Sequence, residues 1–420
     1  MEKTFSLAYG TQEIPLTIRG GEIDVLDVLP PSPIEDVPAA FLEAVTGDGL
    51  GAPPLKELIS PEDKVTVIIS DITRAWMHQE KICPLVLDYL HDEIGVPDEN
   101  IVYLVAQGTH RAMTEAELRR VASYEVYDRV KVVNHDCDGD VVSLGKTSRG
   151  TEVEVNPLVV GRKVILLSGT VHHFFAGYGG GRKSILPGVC SRRTIMQNHA
   201  HALSPTEGKS NPLCGLGVTE GNPVHEDMVE AARMANPVYG ISLAVDGQGR
   251  HVALLAGHWH RAWQESCRVV DSMSGVPLPE KADVVVVSAG GDPKDINLYQ
   301  GCKAMINGYQ ALKPGGRLIF LCQCPEGGGP EEFFGWSKYL ADRSLESALR
   351  QNFTVAGYIF FVCVEIAAAC RVEIHSALPR ETVEEMGMMV LDHPGVMDFG
   401  DSRVIVMPHG GATVPLTKFF

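Results

Sequence analysis

Val65-Thr66-Val67-Ile68-Ile69 runs directly into Ser70-Asp71-Ile72-Thr73-Arg74. Five successive apolar or β-branched residues, bounded by polar ones, read as a strand buried on both faces, the kind found in parallel sheets. A helical pattern follows over residues 83–94. Pro84 suits its first turn, Leu85, Val86, Tyr89 and Leu90 form its apolar face, and Gly95 ends it. Residues 101–106 form the next strand. Thr114-Glu115-Ala116-Glu117 is a capping box that opens a short helix. Residues 164–167 are a third strand, and helices are expected to begin near Ser191 and at Asn222-Pro223. Alternating strands and helices predict an α/β fold with mostly parallel sheets flanked by helices.

Working outward, Met273-Ser274-Gly275-Val276-Pro277-Leu278-Pro279 breaks all periodicity and marks a domain boundary. It separates an N-terminal α/β domain, residues 1–272, from a C-terminal α/β domain, residues 282–420. An active-site cleft is expected between the two. The second domain repeats the alternation: strand 283–288, helix 298–312 with Asp295 as its N-cap, strand 317–322 and a last strand at 403–407. At the other end, Phe5 and Leu7, then Ile14, Leu16 and Ile18, alternate around Gly10-Thr11-Gln12 and predict a hairpin.

The chain has 420 residues, 45% hydrophobic and 21% charged, with a net charge of -17. That is the balance of a soluble globular protein with ample core. The acidic excess repels nucleic acid and anionic membrane, and the basic clusters are short. No apolar run reaches the ~18 residues of a membrane span, and the first residues do not read as a signal peptide. Ten cysteines without a Cys-x-x-Cys pair, and only Cys322-Gln323-Cys324 closely spaced, read as reduced thiols of a cytoplasmic protein. No nucleic acid or membrane partner is expected; a homo-oligomer is compatible with this reading.

Chemistry gathers after the strands. The first ends in Asp71 to Arg74, the second in Gln107-Gly108-Thr109-His110-Arg111, the third in Ser168-Gly169-Thr170-Val171-His172-His173. Ligands of open α/β sheets bind beyond the carboxyl ends of strands, so Asp71, Arg74, His110 and His173 are candidates for one crevice. A lone histidine at a strand end is usually structural; three such ends together are harder to explain that way. Next comes Ala176-Gly177-Tyr178-Gly179-Gly180-Gly181-Arg182-Lys183-Ser184. Its glycines free the backbone, and the amides of Gly179, Gly180 and Gly181, with Arg182, could cradle a phosphate. It is not a Walker loop, because Arg182 stands where glycine must precede Lys-Ser. The bland alternative is a flexible surface loop. His199-Ala200-His201 could offer a metal ligand, but on a helix only one of the pair points inward. Gln300 and Lys303, three apart, share a helix face that is either plain surface or a polar closure of the crevice.

These residues resemble the nickel-dependent lactate racemases over nearly the whole chain. The resemblance rests on Asp71-Ile72-Thr73-Arg74, Gly108-Thr109-His110-Arg111, His173-Phe174-Phe175-Ala176-Gly177 with Gly180 to Ser184, Thr194-Ile195, Asn198-His199, and Tyr299-Gln300 with Lys303. It implies a cofactor, the nickel pincer nucleotide (pyridinium-3-thioamide-5-thiocarboxylic acid mononucleotide), tethered as a thioamide to Lys183. It implies His199 as the protein's nickel ligand and His110 and His173 as acid/base residues. Arg74, Tyr299, Gln300 and Lys303 would bind substrate, and Asp71 and the glycine loop would lie where the nucleotide is held. Partner enzymes that carboxylate the nucleotide, transfer sulfur and insert nickel are also implied. The implied reaction is racemisation or epimerisation at C2 of a 2-hydroxy acid. The chemistry is consistent: the α-hydrogen is too weakly acidic for simple removal by histidine, hydride transfer avoids a carbanion, and inversion needs a base for each hand.

One departure stands out. Many relatives carry proline after the Asp-x-Thr-Arg segment, whereas here Ala75-Trp76 follow, which leaves lactate itself open as substrate. His172 beside His173 is a lesser ambiguity; the spacing to Lys183 favours His173. Two other classes compete: a zinc- or iron-dependent hydrolase or lyase using His173, His199 and His201, and a non-catalytic paralogue that binds a nucleotide or hydroxy acid. Presence of both His110 and His173 speaks against the second.

Overall fold

The computed structural model describes residues 1–28, 31–206 and 208–416. Two compact units are present among them: Pro30–Ala202 with Pro212–Met273, and Met1–Leu29 with Leu203–Asn211 and Ser274–Phe419. Each has its own six-stranded sheet.

The first sheet runs, edge to edge, His251–Gly257, Tyr239–Val245, Lys163–Gly169, Val65–Ser70, Ile101–Ala106, Lys131–Asn134. All neighbours are parallel except the first pair. Val65 to Ile69 are buried throughout, as a strand covered on both faces requires. The helix Cys83–Asp88 continues through a π-helical turn, Tyr89–Ile94, and ends at Gly95, whose φ of 87° suits glycine. Val86, Leu87 and Leu90 pack with Val65, Val67, Tyr103 and Val105 in one core. Thr114 forms its capping box with Glu117 and opens the helix Glu115–Ala122.

The second sheet is wholly parallel: Met389–Val390, Arg371–His375, Leu312–Leu321, Ala282–Ser288, Arg403–Met407, Glu22–Val25. The hairpin Glu2–Tyr9 and Gln12–Arg19 turns at Gly10-Thr11 and packs here too. Leu7, Leu16 and Ile18 share a core with Val284, Val286 and Ile319. Residues 1–28 thus belong with the second sheet, not with a domain of residues 1–272. The reason is non-local: the hairpin needs a surface for its apolar face, and strand 22–25 finds its pairing partner near residue 404.

Two smaller corrections concern the same unit. Asn297, not Asp295, caps the helix Leu298–Gln310 by accepting from the amide of Gln300. Asp295 instead accepts from the amides of Gly10 and Gln323. The strand 403–407 is also not the last, since Val414–Leu416 follows and pairs with Gly275–Pro277. Among the described residues, no helix is long and apolar enough to cross a membrane.

Candidate active site

Three adjacent parallel strands of the first sheet, 163–169, 65–70 and 101–106, deliver their following loops to one edge. Asp71 is buried and caps the short 3-10 turn Ile72–Met77. Its Oδ1 accepts from the Thr73 amide at 3.1 Å and the Thr73 hydroxyl at 2.5 Å, while its Oδ2 meets His110 Nδ1 at 2.5 Å. The neighbouring loop is held by its own backbone: the His110 amide donates to the Gln107 carbonyl, and the Gly108 amide to Gly188. The His110 side chain is 52% exposed while Asp71 is 4% exposed, so the imidazole projects from a buried anchor. Burial alone pushes the Asp71 carboxyl up; His110, Thr73 and Arg74 outweigh it and hold it below the usual carboxylate range.

His172–His173 forms a two-residue ladder with Gly177–Tyr178, so the two rings leave in opposite directions. His172 Nε2 lies 2.8 Å from Asp271 Oδ1, to which the Tyr178 hydroxyl also donates at 2.7 Å. His173 turns the other way. Its Nδ1 accepts from the Ala176 amide at 3.3 Å, and its Nε2 lies 3.0 Å from Lys183 Nζ.

The glycine loop is packed rather than open. The Gly179 amide donates to Val171, and the Gly181 amide to the Ser168 hydroxyl. Gly181 has a φ of 53°, and a side chain there would meet Trp263 Cγ at 2.5 Å. Arg182 is fully buried; it donates to the carbonyls of Ala176, Gly179 and Gly180 and stacks 4.1 Å over Trp263. Burial pushes its guanidinium down to about 9. This corrects the anion-cradle expectation: Arg182 and the amides of Gly179 and Gly181 hold the loop itself. Trp263 completes the clamp by donating its indole N–H to the Gly179 carbonyl. Sequence reading missed Trp263 and Asp271, although the stripe of apolar or small residues Trp259, Ala262, Trp263, Ser266, Cys267, Val270 was a signal for a buried helix face.

Lys183 follows this clamp. Burial first, then Arg182 and Arg74, push its amine well below the ordinary lysine range. Burial, Lys183, Arg74, His199 and Arg182 in turn push His173 well down. His199 is buried on the helix Arg192–Ala200, with Phe175 edge-on at 5.2 Å, and burial and Lys183 push it down to about 3. His173 thus feels the charge of Lys183, Arg74 and His199, Lys183 that of Arg74, and His199 that of Lys183, while Asp71 joins His110 to the same sheet edge. His201 departs from this group, with Nε2 4.0 Å from Asp227. Tyr299, Gln300 and Lys303 lie in the other unit: Tyr299 packs against Phe333 at 5.1 Å, and Lys303 Nζ donates to Gln300 at 3.3 Å.

The residues fit the tethered group. Desolvation makes a lysine easier to deprotonate, and the free amine is a nucleophile able to form an amide-type bond. An imidazole kept neutral is the form that binds metal. Among the described residues, the close group of three His, Cys, Asp or Glu donors is Asp136, Cys137 and Asp138, two of them exposed, and it includes none of these histidines. A zinc site of His173, His199 and His201 is not assembled, whereas a single imidazole suits a metal whose other donors belong to a cofactor.

Comparison with known proteins points to one family for most of the chain. Residues 9–210 match the lactate racemase N-terminal domain model, and residues 278–390 the lactate racemase C-terminal domain model. The lactate racemase of Thermoanaerobacterium thermosaccharolyticum is 33% identical over 311 residues, 73% of this chain and 70% of that protein. The lactate racemase of Lactiplantibacillus plantarum is 32% identical over 288 residues, 68% of this chain and 66% of that protein. The solved lactate racemase apoprotein from T. thermosaccharolyticum superposes with a TM-score of 0.83 at 26% identity, covering 99% of this chain and 100% of the other. A Thermotoga maritima protein shares the fold at 16% identity and a TM-score of 0.56, covering 85% and 94%. The chain belongs to the lactate racemase family and is an isomerase of the racemase class.

Proposed function

We propose that this enzyme inverts C2 of a 2-hydroxy acid, lactate or a close analogue, with a nickel pincer nucleotide tethered to Lys183. The observation that carries this reading is the Lys183 amine, desolvated and 3.0 Å from His173 Nε2, with buried His199 in electrostatic reach. When bound, the nucleotide supplies an electron-poor acceptor for hydride, chemistry that side chains lack. His199 would hold nickel through its neutral imidazole. Arg74 would orient the substrate carboxylate with its guanidinium fork. His110 and His173 would each move the hydroxyl proton for one hand of the substrate. Tyr299, Gln300 and Lys303 would contribute substrate contacts.

Lactate comes from the named relatives, and Trp76 favours testing beyond it. This indole is 42% exposed and two positions past Arg74, where a large ring would contact a bulkier C2 substituent. Cofactor loading would require the nucleotide carboxylase, sulfur transferase and nickel insertase. The test is intact-protein mass spectrometry of enzyme made with those partners, followed by racemisation assays over a hydroxy-acid panel. A nickel-bearing adduct lost in Lys183→Ala, together with loss of turnover, is expected. Full activity in Lys183→Ala would overturn the tether.

A further inference from the structure

We infer that Asp71 is a positioning residue for His110, fixing the imidazole as its Nδ1–H tautomer so that Nε2 carries the lone pair that accepts a proton. The inference rests on the racemase reading only for the use made of that proton acceptor; the tautomer follows from the geometry.

Three observations lead to it. Asp71 is 4% exposed and His110 52% exposed, so the pair has a fixed end and a projecting end. The Oδ2–Nδ1 distance of 2.5 Å makes Asp71 the partner of one particular ring nitrogen. The other carboxylate oxygen is occupied by two donors from Thr73, its amide and its hydroxyl, which prevents the carboxylate from turning away. A carboxylate held ionised is an acceptor only, so Nδ1 must donate. A neutral imidazole that donates through Nδ1 is an acceptor at Nε2. The other charged groups facing the pair, Arg74 and Arg111, favour an ionised Asp71 and leave this assignment unchanged.

An ion pair that merely staples two loops would have the same distance, so the test must report the tautomer. Asp71→Asn does so by an internal constraint. The Thr73 amide must still meet an oxygen, so the asparagine carbonyl is drawn to Thr73 and its NH2 is turned toward His110. Nδ1 then has to accept, and the ring proton moves to Nε2. The variant is nearly isosteric and keeps the Thr73 contacts.

The experiment is imidazole nitrogen NMR on the full chain with 15N-histidine, the His110 signals being identified by their loss in His110→Gln. Wild type is expected to show a protonated Nδ1 and an unprotonated Nε2, and Asp71→Asn the reverse. In loaded enzyme, Asp71→Asn should lower kcat about 10²- to 10⁴-fold, the usual contribution of a positioned base, with KM within about threefold. Asp71→Ala, a second variant that leaves Nδ1 to water, should give mixed tautomers. An unchanged tautomer in both variants would overturn the positioning role. A reversed tautomer with undiminished turnover would leave the pairing intact and overturn His110 as a base, and with it that part of the proposed function.

Discussion

Lys183 Nζ and His173 Nε2 lie 3.0 Å apart, and the other nitrogen of that imidazole accepts from the Ala176 amide. A ring whose Nδ1 accepts this amide presents Nε2–H to Lys183, whose amine is pushed well below the ordinary lysine range, first by burial and then by Arg182 and Arg74. Lys183 should accordingly be modified at neutral pH by acetic anhydride at least about tenfold faster than surface lysines of ordinary pKa. Peptide mapping after brief treatment at pH 7 and pH 9 would show it. A rate that climbs with pH as steeply as that of other lysines would mean that Lys183 is an ordinary ammonium.

Arg182 should behave as a structural residue. Lysine in its place keeps the charge but loses the planar stack on Trp263 and the fork that reaches three carbonyls. Arg182→Lys is expected to cost about 2–3 kcal/mol, the price of leaving buried carbonyls unpaired. Urea unfolding measures this. Unchanged stability with weakened nucleotide binding would instead restore a phosphate-holding role.

Gly181→Ala should destabilise through the same clamp. The left-handed backbone at φ 53° costs an L-residue about 1–2 kcal/mol, and the new methyl would press on the Trp263 ring. Trp263→Leu in the same chain relieves only the second term. The two substitutions should therefore be less than additive in urea midpoints, and strict additivity would argue against contact.

Stability should fall on mild acidification. His173, His199, His225 and His260 are all pushed down, first by burial; His225 falls to about 2, His199 to about 3 and His260 to about 4. Below about pH 6.5 the unfolded chain binds protons at these rings and the folded chain does not. The free energy of unfolding thus decreases from pH 7 toward pH 5 and keeps decreasing until the folded values are reached. Asp71, whose pKa is lowered, adds its own loss only nearer pH 4 and below. Equal urea midpoints at pH 7 and pH 5 would contradict this.

The sequence was most informative where chemistry and secondary structure coincide. Val65 to Ile69 showed its double burial, and the order of residues after it showed which side chains reach the sheet edge. Thr114, Asn222 and Ser191 announced their helices because capping is a local hydrogen bond. Arg182 misled, since a cation in a glycine loop looks the same whether it meets a phosphate or an indole some eighty residues later. Strands 239–245 and 251–257 and the helix Trp259–Ser274 follow none of the motif-bearing strand ends, so nothing in the local pattern singled them out. Asp71 and His110 were legible as neighbours at one sheet edge, whereas the contacts of Asp271 with His172 and Tyr178 are set by packing of a helix some ninety residues later, which no local pattern encodes.

Glu22 and Arg403 form an ion pair across 381 positions, where strand 22–25 lies beside 403–407. A growing polypeptide meets a timing problem here. The first unit as described, residues 31–202 and 212–273, has been made once residue 273 is reached, whereas the opening hairpin must wait for an apolar floor synthesised much later. Until then Leu7, Leu16 and Ile18 lack the cover of Val284, Val286 and Ile319, and the half-made second unit exposes apolar surface that invites aggregation.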